Sequence, residues 1–216
     1  MRLTKDAAKV AELSATDLYK SIQGSKFHDV VVHQVGGTRL EFHAGMGDDL
    51  AEKKIGGVRL AVHKVTNAGM VMPAVISIYT SADASFVNVA FQRAIGGAQE
   101  ASIGLGGKLS TPAALPIGMA TIFGKGSTID FVAAVCVHEI GHILHEFFDP
   151  EFFWSAAANA PTPPALGGKV SMYAASNIKE FVAEVFTGMI YGQRFDEELM
   201  GKYNEFHGPS SLTFPG

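Results

Sequence analysis

The 216-residue chain is 47% apolar, has a formal net charge of −4 and a sequence pI near 6.0. That apolar share excludes a disordered chain, and the lack of any basic block or stripe argues against a nucleic-acid partner. One cysteine, Cys136, excludes an internal disulfide framework and reads as a small buried hydrophobe.

The N-terminal stretch "MRLTKDAAKVAELSATDLYKSIQGS" holds no apolar run of leader length. No uncharged apolar stretch of about 18 residues reads as a membrane span. The expectation is synthesis in the cytosol, with any action outside the cell depending on a dedicated export machine. Residues 4–22 read as one broken or two short helices, with Thr4 as a cap and Val10, Leu13, Leu18 and Ile22 in period. Residues 28–65 read as strands and tight turns. In "VGGTRLEFH" (35–43) and "IGGVRLAVH" (55–63) the Gly-Gly, Arg-Leu and His fall at identical offsets, which predicts two hairpin units of one small sheet. "PAVISIYTS" (73–81) and "FVNVAF" (86–91) read as further strands, 94–116 as Gly-, Ala- and Ser-rich loops, and "IGMATIFGKG" (117–126) as a strand ending in a turn.

A long helix follows. Ser127 with Asp130 makes a capping box, and the run from Phe131 to Phe148 is apolar on nearly every side, as in a buried helix. Residues 159–169 read as a Pro- and Gly-rich connection. A second helix starts at Asn177 and carries "FVAEVFTGMIY"; a short one is expected at 196–206, then an extended tail, "GPSSLTFPG".

The long helix contains "HEIGH". His138 and His142 are four apart, so both side chains leave one face and can converge on one ion. Zinc accepts imidazole nitrogen, and Glu139 between them is the base that such a site needs for activating water. Gly141 costs the helix about 1 kcal/mol relative to Ala, which points to close packing or ligand approach. The competing reading is a pair of satisfied core histidines, but burying His-Glu-His among Val135, Val137, Ile140 and Ile143 is expensive without a strong partner. A third ligand is required. His145 continues the same helix a turn onward, off the centre line of the pair, and is better read as a buried or rim histidine. Glu146 and Asp149 read as solvated residues near the helix end. The second helix offers Glu180 and Glu184, again four apart and set among apolar neighbours. One of them can ligate while the other orients a ligand histidine.

"YAASNIKEFVAEVF" (173–186) resembles the second motif of the anthrax-lethal-factor-like zinc metallopeptidases, Y-x-x-x-N-x-x-E-F-x-A-E-x-F, downstream of an HExxH helix. Tyr173, Asn177, Glu180, Phe181, Ala183, Glu184 and Phe186 carry the match, and bacterial Pro-Pro endopeptidases are similar. The resemblance spans residues 117–190. It implies that His138, His142 and Glu180 bind one Zn²⁺ per chain, that Glu139 is the general base, that Glu184 supports a histidine ligand, and that Tyr173 donates to the oxyanion. It implies a gluzincin-type zincin: an α+β fold with a small twisted, mostly antiparallel sheet, an active-site helix over about 127–148 and a second helix carrying the Glu ligand.

The expected organisation is one catalytic domain over 1–216, strand-rich to 110 with the metallopeptidase core after it. An edge strand through Gly118, Met119, Ala120 and Thr121 would pair with an extended protein or peptide substrate. A toxin- or effector-type protease is the expected setting. The rival is a non-catalytic binding or structural module that keeps a zinc-stabilised fold; Glu139 and Tyr173 speak against it, because a scaffold needs neither. Nothing in the pattern fixes an oligomeric state.

Overall fold

The computed structural model describes residues 30–46, 48–80, 89–95, 98–106, 109 and 118–210. The helices expected at 4–22 and the end of the tail, 211–216, lie outside these residues.

The first Gly-Gly unit is a hairpin. β1 (Val31–Val35) and β2 (Thr38–Ala44) run antiparallel, with Val35 opposite Thr38. Gly36 has φ 57°, a left-handed conformation that the tight turn needs and glycine adopts without penalty.

The second unit is not a hairpin. "IGGVRLAVH" lies inside helix α1 (Ala51–Asn67). Ile55, Val58, Ala61, Val62 and Val65 are all buried, at the spacing of one helical face. A Cβ at Gly57 would fall 2.5 Å from Val132 Cγ1 on a later helix, so the glycine is where two helices touch. That packing offsets an intrinsic helix penalty of about 1 kcal/mol.

α1 is the crossover from β2 to β3 (Val75–Thr80), and it makes those strands parallel. β4 (Val89–Ile95) and β5 (Ala98–Leu105) form a second antiparallel pair, and β5 lies parallel to β3. The order is β1-β2-β3-β5-β4. The α+β class is as expected, but the sheet is mixed rather than mostly antiparallel: the central pairings are parallel and only the outer ones antiparallel. β5 falls within the stretch read as loop, yet Ala101, Ile103 and Leu105 alternate into the core. Buried side chains stand in register across three strands, Leu40 beside Ile76 beside Ala101 and Phe42 beside Ile78 beside Ile103. This face joins the helices in one apolar cluster.

Residues Met119–Phe123 form a short helix, α2, in place of the expected strand. α3 (Thr128–Phe148) starts as predicted, with Ser127 Oγ accepting from the Asp130 amide at 3.2 Å. α3 has the length and hydropathy of a membrane span, but 83% of its apolar window is buried inside the protein, which marks it as a core helix. α4 (Pro150–Phe153), α5 (Pro164–Gly167), a 3₁₀ turn (Tyr173–Ala175), α6 (Ile178–Ile190) and α7 (Glu197–Glu205) complete the chain. Asn177 caps α6, its side chain accepting from the Glu180 amide at 3.0 Å. The next two free amides of that first turn, Ile178 and Lys179, donate to the carbonyls of Ala160 and Ala158. The Pro-rich connection therefore satisfies the start of α6 and fixes where Glu180 emerges.

Candidate metal centre

α3 and α6 cross at small residues. A Cβ at Gly141 would lie 3.2 Å from Ala183 Cα and 3.1 Å from Phe186 Cδ1. The close approach brings the two i,i+4 pairs face to face. His138 sits between both carboxylates, with Nε2 3.0 Å from Glu180 Oε2 and Nδ1 2.9 Å from Glu184 Oε1. His142 Nε2 is 3.1 Å from His138 Nε2 and 3.3 Å from Glu180 Oε2.

These three ligand-capable atoms fit a metal ion. Atoms about 2.0–2.1 Å from one zinc in a tetrahedral arrangement stand about 3.3 Å from one another. The observed triangle has sides of 3.0, 3.1 and 3.3 Å. The donor chemistry agrees. Glu184 is a carboxylate that only accepts, so His138 Nδ1 carries the hydrogen and a neutral ring turns its Nε2 lone pair towards Glu180 and His142. Converging lone pairs need positive charge between them, from a proton or a cation. Burial disfavours the His138 imidazolium, but hydrogen bonds to Glu180 and Glu184, and their charges, hold its pKa well above the usual value. Burial raises both carboxyls, yet the neighbouring histidines outweigh it and both lie below the usual range.

Glu184 is 1% exposed. Its Oε2 accepts from the Met119 amide at 2.6 Å and from Ser171 Oγ at 2.7 Å, while Oε1 takes His138. A Cβ at Gly118 would fall 2.7 Å from Oε2 and 3.0 Å from Oε1, so a side chain there would have to push the carboxylate from its place. Of the residues read as a substrate strand, Met119, Ala120 and Thr121 open a short helix whose first amide holds Glu184, and Gly118 precedes it. Helical geometry removes the strand argument for Gly118, Met119, Ala120 and Thr121 as a substrate-pairing edge.

Glu139 is buried beside the triad; burial raises its carboxyl pKa, opposed by the charges of His138 and His142. The Tyr173 ring stacks on His138 at 5.6 Å between centroids. Burial, then the charges of Glu180 and Glu139, raise its phenol pKa, so it stays a hydrogen-bond donor.

His145 does not join this group. It is fully buried and its Nε2–H donates to the Phe206 carbonyl at 2.9 Å. Glu146 is buried rather than solvated, accepting from Trp154 Nε1 at 3.0 Å. Asp149 accepts from the Phe152 amide and pairs with His207 Nδ1 at 2.8 Å. His33 and His43 lie on strands as expected, but His63 is on α1, 3.1 Å from the Asn67 side chain. Sequence reasoning passed over Ser171 and the Met119 amide. Neither has a periodic signal, since one sits in a turn and the other is backbone.

No family model matches the chain. No curated protein matches it either. Among solved structures, a candidate zinc-binding metallo-peptidase from Bacteroides caccae is similar at 16% identity over 96% of this chain and 80% of its own, with a TM-score of 0.34. At that score the likeness carries no argument about fold or function, and the case for a metal rests on the geometry of His138, His142 and Glu180, whose ligand atoms all lie within 4.8 Å of one another.

Proposed function

We propose that this chain is a zinc-dependent metallopeptidase that hydrolyses peptide bonds. The convergence of His138 Nε2, His142 Nε2 and Glu180 Oε2 carries the reading, because among the described residues these three protein ligands come together, and three ligands with a fourth position left for water mark a catalytic rather than a structural zinc site. Zinc held there supplies Lewis-acid chemistry, polarising a carbonyl and acidifying water. Glu139 takes the proton from water on its carboxylate and returns it to the departing amine; a raised carboxyl pKa suits both halves of that transfer. Tyr173 donates its phenolic hydrogen to the carbonyl oxygen as negative charge develops. Glu184 fixes the tautomer of His138, leaving Nε2 free to ligate.

An extended substrate would lie along β4, which among the described residues ends the strand order and packs against α3. Backbone pairing there would supply affinity without sequence preference. The resemblance to lethal-factor-like peptidases agrees with each of these residue roles. A toxin- or effector-type protease, exported by a dedicated machine, is the setting that resemblance suggests.

The test is metal content and peptide-library cleavage for wild type and Glu139→Gln. Stoichiometric zinc in both, with cleavage reduced about 10²–10⁴-fold in the variant, is the expected result. Wild type without stoichiometric zinc refutes the reading.

A further inference from the structure

Ser171 is buried two residues ahead of Tyr173 and uses both sides of its hydroxyl. It donates to Glu184 Oε2 at 2.7 Å and accepts from the Ala174 amide at 3.0 Å. Chemistry fixes both directions. An amide can only donate, and an ionised carboxylate can only accept. The other oxygen of Glu184 accepts from His138 Nδ1 at 2.9 Å. One unbroken polar chain therefore runs from the peptide that follows Tyr173, through Ser171 and Glu184, to the imidazole facing Glu180. Its two ends are the donor phenol's backbone and a metal-ligand ring.

We propose that Ser171 is a positioning residue that sets two groups at once: the Glu184 carboxylate that orients His138, and the turn that presents Tyr173. Met119 donates to the same Glu184 oxygen, but Ser171 also holds the Ala174 amide and so links the carboxylate to the Tyr173 turn. The inference rests on the metallopeptidase reading and deepens it.

A double-mutant cycle on the full chain tests it, with Ser171→Ala, Glu184→Gln and the double variant. Zinc affinity is read by competition with a chromophoric chelator, and kcat and KM on a cleaved library peptide. Ser171→Ala should weaken zinc about 10-fold, at the low end for groups behind a ligand, and lower kcat with KM nearly unchanged. In the Glu184→Gln background the same change should weaken zinc less than about 2-fold, because the link to His138 is already broken. Ser171→Thr keeps the hydroxyl and should keep wild-type zinc affinity. Equal zinc losses in both backgrounds, wild-type behaviour of Ser171→Ala, or a Thr variant as weak as Ala would each overturn the role. Zinc-free wild type would instead overturn the metallopeptidase reading, and the Ser171 role with it.

Discussion

Glu184→Gln separates the metal site from the fold in a way that truncation does not. Three donors converge on the native carboxylate: the Met119 amide at 2.6 Å, Ser171 Oγ at 2.7 Å and His138 Nδ1 at 2.9 Å. Glutamine has one acceptor oxygen and one donor NH₂. The amide oxygen satisfies most partners by facing Met119 and Ser171, which leaves its NH₂ against His138 Nδ1. The imidazole must then shift its proton to Nε2. In the metal-free protein that proton finds Glu180 Oε2 at 3.0 Å, so little is lost. A ligating Nε2 needs the opposite tautomer, which sets an N–H against an NH₂ inside the protein. An unmet buried donor costs about 1–3 kcal/mol, which is about 5- to 150-fold in zinc affinity. The expected result is a fall of that size by chelator competition, with a smaller loss of stability in urea melts with EDTA. Equal losses in the two measurements, or unchanged zinc affinity, would refute the tautomer argument.

Other substitutions probe the same centre from different sides. Glu180→Ala should abolish stoichiometric zinc while His145→Ala keeps it, read by metal analysis after dialysis; the reverse order would mean the ligand set is wrong. Gly118→Ala should weaken zinc without touching a ligand, because its Cβ would lie 2.7 Å from Glu184 Oε2; wild-type affinity would show that the carboxylate has room to move. Acid should destabilise the fold through His145. Burial, then the charge of His142, lowers its pKa to about 3, with the Phe206 hydrogen bond opposing. The unfolded chain therefore takes up a proton near pH 6.5 that the native state refuses down to about 3, and stability falls with pH across that window. The loss is about 1.4 kcal/mol per pH unit, and His145→Gln should remove that one-proton slope from urea melts at pH 4–6. Identical slopes would refute the assignment.

The site was legible where one residue type at one spacing has one chemical use. His138 and His142 share a face by helical period alone, and Asn177 announces the start of α6 by its capping chemistry. The sheet was less legible because short signals conflict. Gly-Gly before Arg-Leu is a hairpin at 35–43 and a helix at 55–63. The difference lies in context: "AEKK" precedes the second copy and favours helix, and Gly57 meets Val132 on a helix distant in sequence. β5 was hidden by small residues, although Ala101, Ile103 and Leu105 keep the period of two. "MATIF" is too short for period to separate strand from helix. Its helical state follows from tertiary partners, with the Met119 amide on Glu184 and the Phe123 ring stacked on Tyr191 at 4.7 Å.

The two motifs depend on one steric condition that neither contains as chemistry. Each presents two side chains four residues apart, and only a close crossing lets His138 touch Glu180 and Glu184 together. Gly141 lies between the two histidines in sequence, and Ala183 lies between the two glutamates. A methyl group at Gly141 would come 3.2 Å from Ala183 Cα, tighter than ordinary packing, and the helices would have to separate. Separation would lengthen all three short contacts among His138, His142, Glu180 and Glu184 that bridge α3 and α6, because the ligating atoms on each side ride on rigid backbone. The glycine inside the histidine motif thus sets the distance between the helices, while the histidines and glutamates set what that distance can hold.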